Sequence, residues 1–244
     1  MTGVENHDPE YVAARRVLLD ALEALGPHRK AVVLVGAQAI YLHVGEGDMA
    51  VAPFTTDGDL AINPGVLDDE PILAEALRAA GFGLAVNPGT WSMNDVQIDL
   101  LVPSSLGGPG RRSARLGPHG TEVARKANGL EAAIVDHRVM LLHSLAPEDA
   151  RSFEVAVAGP AGLLVAKLHK IAERETTPDR WAPKDGLDVL RILRGVDLAQ
   201  IATTLAELEV DSVAGAVTRE ARTHLEVLFA HRDAHGARLA VRAR

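Results

Sequence analysis

Apolar positions spaced three and four apart between Val12 and Leu25 predict an amphipathic helix. Asp8-Pro9-Glu10 offers a capping carboxylate and a first-turn proline at its start, residues 1–7 read as a frayed lead-in, and Gly26-Pro27 ends the helix. The run Ala31-Val32-Val33-Leu34-Val35 predicts a strand buried on both faces. It stops at Gly36-Ala37, and Gln38 to His43 reads as a helix. A loop over 45–54 leads into Thr55 to Ile62, a strand closed by Asn63-Pro64-Gly65. Glu70 to Ala80 predicts a second amphipathic helix, and Phe82 to Val86 a strand. Thr90 to Met93 and Val96 to Val102 follow as strands, and Asn94-Asp95 between them makes a hairpin. Residues 103–120, rich in Gly, Ser, Pro and Arg, form an exposed loop or flap. Short strands are expected at Ala132–Val135, Val139–His143 and Glu154–Val157. From Gly159-Pro160 the period turns helical, with helices at about 160–175, 184–194, 197–208 and 211–232 and a basic frayed tail.

This order predicts an α+β (mixed α/β) fold: a twisted mixed sheet with flanking helices, followed by a C-terminal helical bundle. The shift in period places a boundary near residue 158, giving units 1–158 and 159–244. With 244 residues the chain can bury a substantial core. A net charge of −8 argues against a broad cationic nucleic-acid surface, and an aromatic share of 3% against base-stacking platforms. The absence of cysteine excludes disulfides and thiolate metal sites. No apolar run reaches membrane-spanning length and the start lacks a signal pattern, so a soluble, cytoplasmic chain is expected.

The stretch Thr55-Thr56-Asp57-Gly58-Asp59-Leu60 carries the candidate chemistry. On a strand, Asp57 and Asp59 point the same way, and two like charges that close each resist ionising unless a cation sits between them. A hard divalent ion with oxygen ligands meets that need, although a D-x-D also occurs in polar turns and solvated edges. Asp99 lies within the apolar run Val96 to Val102. A carboxylate there costs several kcal/mol unless neutralised by a salt bridge or by the same metals, and the upstream pair favours the metals. Gly36-Ala37, opening a helix after a buried strand, would let backbone N–H groups approach a phosphate, or is ordinary strand–helix punctuation. Lys167 and Arg174 lie nearly two turns apart on one helix face, suited to a triphosphate or simply to solvent. Asp185 and Asp188 share a face at i, i+3, with helix capping as an alternative role for Asp185.

In that order, Val35-Gly36-Ala37, Thr56-Asp57-Gly58-Asp59-Leu60 and Ile98-Asp99-Leu100 resemble the G-[GS] … D-x-D … D signature of the DNA polymerase β-like nucleotidyltransferases. Lys167 to Arg174 resembles the K-x6-R motif of the AbiEii-type toxin branch, and Asp185 falls where that branch has a fourth-motif aspartate. The likeness spans about residues 31–194. Ala37 departs from it by replacing a Gly or Ser, and the long interval from Gly36 to Asp57 makes the 45–54 loop an insertion.

The resemblance implies transfer of a nucleoside monophosphate from an NTP to an acceptor hydroxyl. Asp57, Asp59 and Asp99 would hold two Mg²⁺ (or Mn²⁺) ions about 3.5–4 Å apart. Gly36, Ala37, Thr56, Lys167 and Arg174 would bind the nucleotide, and Asp185 would orient Lys167 or touch the acceptor. It further implies a tRNA 3′ end as acceptor and a cognate antitoxin as partner. Arg111, Arg112, Arg115, Arg125 and Lys126 are the cations placed to contact RNA, or are a solvated basic loop. Two rivals stand beside this: transfer to a small antibiotic-type molecule, and a degenerate transferase acting only as a binding protein. A P-loop is absent. His231 and His235 lack a third zinc ligand, the His-Arg-Asp at 231–233 has no kinase glycine loop upstream, and Trp91 and Trp181 are expected in the core or an interface.

Overall fold

The computed structural model describes residues 7–45, 54–175 and 183–243. Most of the 45–54 loop, Trp181 and the residues before His7 lie outside them. The first helix, α1 (Pro9–Leu25), begins where the Asp8 carboxylate accepts the Glu10 N–H at 2.8 Å and ends at Gly26, φ 49°. Its face of Val17, Leu18, Ala21, Leu22 and Leu25 is buried, joined by Tyr11 and Leu19. Strand β1 (Val32–Val35) is buried at every position and passes directly into α2 (Gly36–Val44). Strand β2 (Asp57–Ile62), helix α3 (Leu73–Ala79), and strands β3 (Gly83–Leu84), β4 (Thr90–Met93) and β5 (Val96–Pro103) follow. The β4–β5 turn is made by Asn94 and Asp95, both at positive φ (51° and 64°), the conformation a two-residue hairpin turn demands.

After β6 (Arg125–Ala127) comes α4 (Leu130–Val135), where a strand was expected at Ala132–Val135. Four to six apolar residues have no readable period, and alanine is the strongest helix former. Gly162 lets α4 sit close: a Cβ there would meet the Ala132 carbonyl oxygen at 2.9 Å. Strands β7 (His137–His143) and β8 (Ser152–Ala158) complete the sheet, in the order β3-β4-β5-β2-β1-β8-β7 with β6 also on β5. Parallel and antiparallel neighbours mix, as expected of this fold class. Helices α5 (Pro160–Arg174), α6 (Pro183–Gly195), α7 (Leu198–Val210), α8 (Gly215–Phe229) and α9 (His235–Arg242) follow. The expected frayed tail is therefore α9, whose Leu239 and Ala240 pack on Gly186 of α6. One buried apolar cluster runs from Leu18 and Leu60 through Leu164 and Val189 to Leu239, so the sheet and the C-terminal helices share a core. Among the described residues no helix is long and apolar enough to cross a membrane.

Candidate active site

The sheet register assembles the acidic centre. Strands β2 and β5 run parallel with Asp59 opposite Asp99, and Asp57 precedes Asp59 by two on the same face. The three carboxylates thus share one side of adjacent strands, each half-buried. Gly58 points the other way, under α1, where a Cβ would meet Ile98 Cδ1 at 2.8 Å and Leu18 Cδ1 at 3.3 Å. A glycine between the two aspartates is therefore required by the helix packed behind them.

Antiparallel pairing of β1 with β2 sets Val35 opposite Asp59, which brings the first residue of α2 onto the Asp59 carboxylate. A Cβ on Gly36 would lie 2.0 Å from Asp59 Oδ2, and Gly36 has φ +71°. Only glycine leaves that carboxylate its place beside the positive end of the helix. Gly36→Ala is expected to cost about 1–3 kcal/mol from left-handed strain and the displaced carboxylate. Urea unfolding checks this, and a stability within about 0.5 kcal/mol of wild type would contradict it. Ala37, in place of a hydroxyl-bearing residue, is buried in the core.

The three carboxylates are not held alike. Thr55 Oγ1 donates to Asp57 Oδ1 at 2.5 Å, and Lys184 Nζ lies 3.7 Å from Asp57 Oδ2. Burial pushes Asp57 upward, but Lys184, the Thr55 hydroxyl, Lys170 and Lys167 outweigh it and hold it below the ordinary carboxylate range. Thr56, the residue expected here, is exposed, and its buried neighbour Thr55 makes the contact. Asp59 moves the opposite way: burial first, then the charges of Asp57 and Asp99, push it up against a partial offset from Lys170. Among the described residues no donor hydrogen-bonds the Asp59 carboxylate. Asp99 is satisfied on both oxygens, by Thr90 Oγ1 at 2.6 Å and by Arg125 at 2.6 Å. A short second layer supports the pair: Arg15 Nε donates to Gln38 Oε1 at 2.8 Å, and Gln38 Nε2 to the Asp57 carbonyl at 3.0 Å.

Cations from α5 and α6 face this centre, though not as expected. Lys167 is buried, with Nζ 2.8 Å from both Asp185 Oδ1 and Asp188 Oδ2, so two of its three protons are committed. Asp188 also accepts from Arg191 at 3.2 Å, and Arg191 donates to the Tyr41 hydroxyl at 3.0 Å. Arg174 reaches Asp185 Oδ2 at 3.1 Å. Lys170, one turn beyond Lys167, lies 3.4 Å from Asp185 and acts electrostatically on both Asp57 and Asp59. Lys184 thus faces the acidic pair directly, at Asp57, while Lys170 divides its charge between that pair and Asp185. The five cations expected to meet RNA divide: Arg111, Arg112 and Arg115 are exposed, whereas Arg125 pairs with Asp99. Lys126 binds the carbonyl oxygens of Gly108 and Gly110, the latter at 2.9 Å, and so ties down the glycine loop. Trp91 is fully buried and donates to the Val123 carbonyl.

No protein-family model and no curated protein matches the chain. Solved structures do align along most of it. One is the antibiotic-resistance factor ANT(2'')-Ia, at 14% identity over 88% of this chain and 95% of that one, with a TM-score of 0.45. Another is an antigenic nucleotidyltransferase-like protein from Paracoccidioides brasiliensis, at 15% identity over 87% and 93%, with a TM-score of 0.36. At such identities and scores neither likeness bears on function, which rests on the geometry above.

Proposed function

We propose that the chain is a nucleotidyltransferase acting at Asp57, Asp59 and Asp99. The observation that carries the reading is Asp59: a carboxylate pushed toward neutrality by burial and two like charges, without a hydrogen-bond donor among the described residues, in a place only glycine at 36 leaves open. Such a group favours a cation beside its ionised form, and an all-oxygen set suits Mg²⁺. Bound there by the three aspartates, divalent ions would supply charge to the phosphates and lower the pKa of an acceptor hydroxyl. The first N–H groups of α2, opened by Gly36, favour anionic phosphate oxygens. Lys170 and Lys184 neutralise the triphosphate from the helical side, and Asp185 holds Lys167, Lys170 and Arg174 in their relative places. Arg125 and Thr90 keep Asp99 oriented toward its neighbours. In the reaction the acceptor oxygen bonds to the α-phosphorus as the bond to the bridging oxygen breaks. Pyrophosphate leaves in line, and the hydroxyl proton is lost to base or solvent.

For the acceptor, the RNA reading is supported by Arg111, Arg112 and Arg115 on the exposed 103–120 loop, and a cognate antitoxin follows only from the family resemblance. The small-molecule reading is favoured by the commitment of Arg125 and Lys126 to internal contacts, which narrows the basic surface. Incubation with each α-labelled NTP and Mg²⁺, with total tRNA or a pool of hydroxylated metabolites, separates them by what carries the label. Label in neither pool removes the transferase reading. If RNA is labelled, alanine at 111, 112 and 115 together is expected to flatten the salt dependence by about 0.7 log units per lost single-strand phosphate contact. An unchanged slope would assign those arginines to solvent.

A further inference from the structure

A second cluster of metal-ligand type lies on the far side of α5 from the chemistry already described. His169 is buried in the seam between α5 and α8, and Glu220 and His224 stand one turn apart on α8. One ligand atom from each of the three falls within 4.8 Å of the others. The two imidazoles meet edge to face with centroids 5.2 Å apart, and His224 Nε2 is 3.6 Å from Glu220 Oε1. The seam is shaped around these rings. A Cβ on Gly129, at the start of α4, would strike His169 Cδ2 at 2.8 Å, and His169 Nε2 lies 2.8 Å from the Val217 carbonyl. Donation of Nε2–H to that oxygen leaves the ring's lone pair on Nδ1, the tautomer-fixing arrangement common behind metal-bound histidines.

We propose that His169, Glu220 and His224 bind one Zn²⁺ ion that clips α5 to α8. Two imidazoles and a carboxylate select a borderline ion over Mg²⁺, and three protein ligands leave a fourth position for water. Bonds of about 2.0–2.2 Å in tetrahedral geometry put ligands roughly 3.3–3.5 Å apart. The three ligand atoms must therefore draw together by up to roughly 1.5 Å to close on the ion. The clip would fix the helix that presents Lys167, Lys170 and Arg174. The test is titration of the chelator-stripped full chain with Zn²⁺ in excess Mg²⁺, against a chromophoric chelator. One equivalent is expected, weakened at least about tenfold by His224→Gln and by Glu220→Gln and unchanged by Asp59→Asn. Glu220 is exposed and His224 half-buried, so both variants keep the core. Absence of tight Zn²⁺ in the wild type, affinity indifferent to both α8 variants, or loss on Asp59→Asn would overturn the site.

Discussion

Asp59→Asn is expected to raise the melting temperature of the metal-free protein while removing Mg²⁺-dependent transfer. The side chain keeps its shape beside Gly36, but a charge held against burial and against Asp57 and Asp99 disappears. Relief of even about 1 kcal/mol raises the melting temperature by about 2–4 °C in a chain of this size. Loss of a metal-binding carboxylate removes several kcal/mol of transition-state stabilisation, and about 4 kcal/mol is roughly a thousandfold in rate. The pH dependence carries the same sign. Because the folded pKa of Asp59 is raised, the folded state holds its proton where the unfolded state has lost it. The stabilisation is full below the ordinary carboxylate value and is lost as pH rises through the raised one. Melting of both proteins without metal across that window should show the variant's advantage growing with pH. The contribution of Asp185, depressed and opposite in sign, is present in both proteins and largely cancels in the difference. A variant that melts lower at every pH would contradict the assignment.

Lys167→Met is expected to destabilise the chain by about 3–5 kcal/mol, since it strands Asp185 and Asp188 in the core. Arg174 and Lys170 stay in contact with Asp185, and Arg191 with Asp188, which keeps the loss from being larger. In the wild type, burial pushes Asp185 up, but Lys167 and Lys170 overcome it and hold the carboxyl well below the ordinary range. The stability this provides is present at neutral pH and is lost on acidification through that depressed value. Adding Asp185→Asn to Lys167→Met should recover part of the loss, and urea titrations of the single and double variants measure it. A phosphate-gripping Lys167 would instead raise KM with the fold unchanged. A loss under about 1 kcal/mol would therefore return Lys167 to the nucleotide.

Local chemistry made the acidic strand, the hairpin and α1 legible from sequence. Asn94-Asp95 marks a two-residue turn, and counting outward from it pairs Thr90 with Asp99, so the Thr90 contact was within reach. A period of two put Asp57 and Asp59 on one face, but which strand lay beside them depended on sheet order, a non-local property. Arg125 and Lys126 look like loop cations in sequence, and only the pairing of β6 with β5 turns one toward Asp99. Lys167 and Arg174 were visible as a pair, while Lys170 between them at i+3 carried the same facial signal. That Lys167 would be buried against α6 could not be read from α5 alone. Helix α4 reads as a strand in sequence because a short Ala-rich run has no period, and α9 reads as a tail because its buried apolar face is only Leu239 and Ala240.

The central claim is that Asp57, Asp59 and Asp99 grip divalent ions together with a nucleotide. Electron paramagnetic resonance of Mn²⁺ with a non-hydrolysable NTP tests it most directly. Wild type should bind Mn²⁺ in a nucleotide-dependent way, and Asp57→Ala, Asp59→Asn and Asp99→Asn should each remove that ion while near-UV circular dichroism stays native. Nucleotide-dependent Mn²⁺ that persists in all three variants would contradict it.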